Sequence, residues 1–213
     1  TINTPYNCTT APFKFKQGTI VTFTLAAHDP LKPYVFTHWS TAPANAQFVI
    51  DSRALTSGVK VNSNIFVSAY YYQKPPMVVV HGFQGANRDN YNYSCNRGVR
   101  RYIDLRGQGP VGNEFLYDRL TGAMPQAYLQ DFDVWMAEWN TGPLGTPDLE
   151  SNGRCLVSQI EAVYNSTGRS QKMTVIAHSM GGLVTRACMS ADNCSNAISK
   201  VFTLGTPHNG IPG

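Results

Sequence analysis

Met173-Thr174-Val175-Ile176-Ala177-His178-Ser179-Met180-Gly181-Gly182-Leu183-Val184-Thr185-Arg186-Ala187 is the stretch on which the rest of the chain is organised. Met173 to Ala177 is an apolar run of the kind found in a strand buried on both faces. It stops at His178-Ser179-Met180-Gly181-Gly182. Leu183, Val184, Ala187 and Cys188 then recur at helical spacing. A strand that feeds a helix through a small-residue turn with serine at its tip is a nucleophile elbow.

The chemistry of such a turn explains the residue types. The serine sits on a tight, strained corner so that its hydroxyl projects clear of the sheet. Residues two before and two after it must be small, because strand and helix nearly touch there. Ala177 and Gly181 meet that requirement. The helix that follows brings free N–H groups and partial positive charge to the place where an oxyanion would form.

Two further stretches share this pattern. Pro76-Met77-Val78-Val79-Val80 runs into His81-Gly82-Phe83-Gln84-Gly85, and Val201-Phe202-Thr203-Leu204 runs into Gly205-Thr206-Pro207-His208-Asn209-Gly210. With these residues the chain resembles the secreted α/β-hydrolase lipases and esterases, in particular the bacterial triacylglycerol lipases. Those carry H-G-x-x-G after an early strand, G/A-H-S-x-G-G at the elbow and G-T-P-H-x-G after the next strand. The resemblance covers residues 76–213. It implies an α/β-hydrolase fold, a mostly parallel sheet with helices on both faces.

The resemblance also implies roles. Ser179 is the expected nucleophile. The expected oxyanion donors are the backbone N–H groups of Phe83 and Met180, with His81, Gly82, His178 and Gly181 as supporting residues. His81 shapes the oxyanion loop in this class. The His178 side chain is expected to point away from that of Ser179, and His208 to hold the turn after its strand. In these enzymes the acid and the base follow the serine, in that order. After Ser179 the one acidic residue is Asp192, poorly placed just beyond the elbow helix, and the sequence stops at Gly213. The expectation is therefore an N-terminal portion of a hydrolase domain, residues 74–213. A second polypeptide would carry the rest of the domain, including the triad acid and histidine, and the substrate would be an ester or lipid. Acyl transfer or thioester cleavage would use the same constellation. A binding or structural protein on a hydrolase fold without turnover is the alternative from another class.

Composition agrees with a globular chain: 213 residues, 42% hydrophobic and 14% charged. Net charge is +4, with one local basic cluster at Arg97, Arg100, Arg101 and Arg106, read as a solvated loop. Nothing points to a nucleic-acid module. No apolar run approaches the roughly 18 residues of a membrane span. Thr1 in place of Met suggests a removed leader and a secreted protein. Five cysteines are present: Cys8, Cys95, Cys155, Cys188 and Cys194. Cys188 and Cys194 are close enough to tie the elbow helix to its following loop, and the odd count leaves one thiol free or paired elsewhere. No C-x-x-C pair exists, and neither metal nor cofactor is expected. Sequons at Asn7, Asn92, Asn165 and Asn193 make glycosylation an expectation for a secreted chain.

Residues 1–73 have a different texture and predict a small all-β module. Gly18–Leu25, Tyr34–Ser40, Ala46–Ile50 and Ile65–Tyr72 read as strands, with Ser57-Gly58 among the turn residues between them. Trp39 and His38 are expected in its packing. Gln73-Lys74-Pro75-Pro76 reads as the linker. Phe83 to Asp131 reads as a long irregular stretch with a short helix near Asn113–Leu120. Phe132–Trp139 is the next strand, and Leu149–Ser166 is a helix with Ser151 as candidate N-cap.

Overall fold

The structure, a computed structural model, describes residues 2–3, 13–25, 32–44, 46–83, 95, 98–102, 130–139 and 148–210. The chain divides into two compact units, Thr1–Gln73 and Lys74–Gly213.

The first unit holds β1 (Ile2–Asn3), β2 (Thr19–Thr24), β3 (Tyr34–Ala42), β4 (Phe48–Ile50), β5 (Thr56–Val61) and β6 (Phe66–Gln73). Four strands run in the order β1-β2-β5-β4, and β3 pairs separately with β6 in antiparallel register. Phe23, Trp39 and Val59, from β2, β3 and β5, form the buried core between these strands. Trp39 meets Phe23 edge-on at 4.6 Å, and its indole N–H donates to the Ala54 carbonyl at 3.0 Å. The polar end of a buried tryptophan is thereby satisfied. His38 lies outside this core: it is exposed and stacks on Tyr70.

The reading of Ser57-Gly58 as a turn does not hold, because both residues lie inside β5. Gly58 stands opposite Thr22 on one side and Ile50 on the other. A Cβ at this position would meet Ile50 Cδ1 at 3.1 Å, so the glycine marks a close approach of side chains across the sheet.

The second unit holds β7 (Pro76–Val80), β8 (Arg100–Arg101), β9 (Asp133–Ala137), α1 (Leu149–Ser166), β10 (Met173–His178), α2 (Met180–Met189), α3 (Asp192–Ala197) and β11 (Ile198–Leu204). The sheet order is β11-β10-β7-β9-β8. The first four strands are parallel, and β8 runs antiparallel to β9. Alternation sorts the side chains onto two faces. Val78, Val80, Trp135, Ala137, Val175 and Ala177 meet Leu156, Ile160 and Val163 of α1 and Val184 of α2. Met77, Val79, Val134 and Met136 form the second face with Tyr102, Phe132 and Ile176. Burial on both faces is why these strands read as continuous apolar runs. The helices α1, α2 and α3 all contribute to the first face.

Helix α1 has the bounds its sequence predicts, but its N-cap is Asp148 rather than Ser151. The Asp148 carboxylate accepts from the Ser151 backbone N–H at 2.7 Å and from the Ser151 hydroxyl at 2.8 Å. These bonds favour the ionised form, and the Ser151 backbone N–H and then its hydroxyl hold the Asp148 pKa below the usual carboxylate value. A depressed carboxylate pKa contributes stability above its unfolded value and loses it as pH falls through the folded value. Asp148→Ala is therefore expected to lower the melting temperature at neutral pH and to leave it nearly unchanged in strong acid, as thermal melts at the two conditions would show.

The basic cluster is not a solvated loop where it is described. Arg100 and Arg101 form β8 and are partly buried. Arg100 pairs with Glu138, and Arg101 lies 3.2 Å from Asp133 with its guanidinium over the Trp135 ring. Burial pushes the Asp133 carboxyl up, and the Arg101 guanidinium opposes that shift. Arg97 and Arg106 lie outside the described residues, as do Asn113–Leu120, Cys8, Asn7 and Asn92. The other two sequon asparagines, Asn165 and Asn193, are exposed. The linker is shorter than its sequence suggests, since Gln73 ends β6, Pro76 opens β7 and Lys74 is buried.

Cys95 pairs with Cys155 on α1, and Cys188 on α2 pairs with Cys194. Cys194 belongs to the short helix α3 and not to a loop. The two crosslinks close segments of 60 and 6 residues. Chain entropy scales with the logarithm of that length, so Cys155→Ser is expected to lower stability by about 2 kcal/mol more than Cys194→Ser. Denaturant melts of the two variants would check the ordering.

Candidate active site

Ser179 is the residue between β10 and α2, and its backbone sits at φ 51°, ψ −127°. A side chain rarely adopts that conformation, and it persists where the surroundings over-determine it. Those surroundings are visible. The Ser179 N–H donates to the Leu204 carbonyl at 2.8 Å, and the Gly182 N–H donates to the Ser179 carbonyl at 3.0 Å. Ser179 occupies the N-cap position of α2, yet its hydroxyl makes no capping bond. The hydroxyl is thus held at a helix N-terminus, where unpaired N–H groups and the helix dipole favour developing negative charge.

Three glycines let the elbow pack against its neighbours. A Cβ on Gly181 would overlap the His81 carbonyl oxygen and stand 2.9 Å from that of Val80. A Cβ on Gly182 would run into the Thr206 side chain. A Cβ on Gly82 would lie 2.9 Å from both Ser179 Cβ and His178 Nδ1. The loop after β7 is therefore in contact with the elbow, and Gly82, the residue before Phe83, touches the Ser179 side chain. The His178 side chain is exposed but flanks the same glycine, so it stands beside the His81-Gly82 loop. Met180 opens α2, where its N–H has no intrahelical partner.

His81 is fully buried, with its ring stacked on Trp139 at 5.0 Å and 8° between planes. Its Nδ1 is 2.8 Å from the Gly82 carbonyl oxygen. A carbonyl only accepts, so Nδ1 carries the proton. Burial lowers the His81 pKa to about 4, against a partial rise from the Gly82 hydrogen bond. The unfolded chain binds this proton below about 6.5, whereas the folded protein resists it until about 4. Stability is therefore expected to fall as pH drops through that window, with a slope approaching one proton. His81→Asn should flatten the slope in pH-dependent denaturant melts. His208 is exposed, with Nε2 at 3.2 Å from the Thr203 hydroxyl.

Trp139 is the residue near this site that motif reading passes over. It follows β9, is fully buried, and donates its indole N–H to the His81 carbonyl at 3.0 Å. Its only sequence signal is its place as the last residue of the predicted strand Phe132–Trp139, two residues past the end of β9 at Ala137.

No curated protein matches the chain. Two crystal structures of the Bacillus licheniformis lipase BlEst2 are similar to it, in mature and propeptide form. Each is 20% identical over 64% of this chain with a TM-score of 0.40. The matched region spans 42% of the mature form and 23% of the propeptide form, so the chain covers less than half the length of these structures. The PGAP1-like alpha/beta domain family matches residues 151–212, which hold α1, the elbow and β11. That match covers α1 to β11 of the second unit and agrees with the parallel β11-β10-β7-β9 order of its sheet, an α/β arrangement.

Proposed function

We propose that this chain is the nucleophile-bearing part of a secreted serine carboxylic-ester hydrolase of the lipase or esterase type. Ser179 attacks the ester carbonyl and forms an acyl-enzyme, which water then hydrolyses. The N–H groups of Phe83 and Met180 receive the oxyanion. The strained backbone of Ser179, with its hydroxyl unengaged at a helix N-terminus and Gly82 against its Cβ, is the observation that carries the reading. The two disulfides accord with an oxidising compartment, and no described helix is long and apolar enough to cross a membrane.

The acid and the histidine base come from residues outside this chain, on a second polypeptide segment that completes the sheet. Two observations support this. His81 is turned to Gly82 and buried, and His208 bonds Thr203. The outer edge of β11 has no strand partner among the described residues, and its Phe202 is 53% exposed. The employment of both histidines elsewhere also favours a second reading, a hydrolase-fold binding protein without turnover. Mass spectrometry of the native material, first intact and then denatured and reduced, separates the two. The proposal expects a second polypeptide, or a longer protein, with an acid before a histidine in the added sequence. Native material of this chain's mass alone, with no hydrolysis of p-nitrophenyl esters, selects the binding reading.

A further inference from the structure

We propose that Trp139 is a positioning residue for the oxyanion donor at Phe83, acting through His81; this rests on the ester-hydrolase reading of the site. The contacts form a chain. The Trp139 indole N–H holds the His81 carbonyl at 3.0 Å, and its ring lies parallel to the imidazole at 5.0 Å. The imidazole Nδ1–H in turn holds the Gly82 carbonyl at 2.8 Å. The Gly82 carbonyl and the Phe83 N–H belong to one peptide unit, which is planar and trans. Its C=O and N–H therefore point in opposite directions. Fixing the carbonyl toward the buried imidazole fixes the Phe83 N–H away from it, out of the interior. Gly82 leaves that plane free to turn unless something holds it, because glycine has no Cβ to limit rotation. A flipped plane would present a carbonyl oxygen where the oxyanion needs a donor.

The anchor is rigid at its far end. Trp139 is completely buried, and the preceding Glu138 is tied to α1 by the Gln159 side chain, whose Oε1 accepts from the Glu138 N–H at 2.9 Å. Gln159 Nε2 donates back to the Glu138 carbonyl. The same His81 carbonyl that Trp139 holds lies directly under Gly181, so the elbow presses on the loop from the other side. The His81–Gly82 plane is thus set by β9 and α1 below and by the elbow above, and the imidazole it carries sets the next plane, Gly82–Phe83.

Trp139→Phe tests this, since phenylalanine keeps a ring for stacking and lacks the N–H. Two measurements are made on the native protein and on the variant. The first follows the Phe83 amide by selective 15N-phenylalanine labelling. The second is the rate of Ser179 modification by a fluorophosphonate, with kcat and KM for p-nitrophenyl butyrate. The Phe83 amide is expected to shift or split in Trp139→Phe while other phenylalanine amides stay in place. Modification and kcat are expected to fall about 10- to 100-fold, with KM within about twofold. A folded Trp139→Phe with an unmoved Phe83 amide and an unchanged rate overturns the proposal. If native protein never reacts at Ser179, the ester-hydrolase reading fails, and the amide measurement alone decides whether Trp139 sets this plane. Should Trp139→Phe not fold, the pair His81→Leu and His81→Asn replaces it. Asparagine Nδ2 stands where Nδ1 stood, so His81→Asn should retain more of the rate and a less perturbed Phe83 amide than His81→Leu. Equal losses in the two would sink the claim.

Discussion

Replacing Ser179 with glycine is expected to make the protein more stable and to abolish the esterase activity proposed for it. The residue sits at φ 51°, ψ −127°, a region that carries about 1–3 kcal/mol of backbone strain for a residue with a Cβ. Glycine relieves that strain but loses about 0.5–1 kcal/mol through its freer unfolded chain. The net gain is about 1 kcal/mol, read as a higher denaturant midpoint. Ser179→Ala keeps the Cβ and so keeps the strain, and its stability should stay near that of the native protein. Both variants lose the proposed nucleophile, and both should lose about 10,000-fold or more in kcat/KM. A glycine variant no more stable than the alanine variant would show that the elbow is relaxed.

Gly181→Ala is expected to have the largest effect on folding. The added methyl overlaps the His81 carbonyl and comes within 2.9 Å of that of Val80. Both are backbone atoms at the end of a central strand, and the first is also held by Trp139. Neither can move without parting the elbow from the loop after β7. Overpacking typically lowers stability by about 1–3 kcal/mol, and a clash with fixed backbone belongs at the upper end; activity should go with it. Gly182→Ala meets Thr206 at Oγ1, Cγ2 and Cβ, and no χ1 rotation moves that Cβ, but the contact is with a side chain in the turn after β11 and not with the backbone of a central strand, so its effect should be smaller. Gly205→Ala is a useful control. It meets nothing within 4 Å and strains only its φ of 60°, for about 1 kcal/mol. Thermal melts of the three variants should rank Gly181 first.

The contrast between the two units explains what the sequence discloses. In the second unit the apolar run Met77–Val80 is buried on both faces, and Met173–Ala177 is buried on one face and half-buried on the other, so strand position follows from composition alone. The small residues around Ser179 are dictated by close approach, and that requirement is visible in any such turn. Other features depend on distant partners. Gly58 looks like a turn residue until Ile50 and Thr22 are placed beside it. Arg100 and Arg101 look solvated until β9 brings Glu138 and Asp133 to them. Ser151 looks like a cap because it has the right hydroxyl, but it lies inside the first turn, and Asp148, just before the helix, accepts from both its N–H and its hydroxyl. Trp139 was legible as part of the stretch through β9. Its bond to the His81 carbonyl joins residues 58 apart, and no local pattern encodes it.

The most direct measurement is peptide mapping of native protein treated with a fluorophosphonate. A phosphonyl adduct on Ser179, absent from Ser179→Ala, is the predicted result, because the proposal makes this serine, at the N-terminus of α2 with no capping bond, the nucleophile. An unmodified Ser179 in native material, or adducts that survive Ser179→Ala, would contradict the assignment of this serine as the nucleophile.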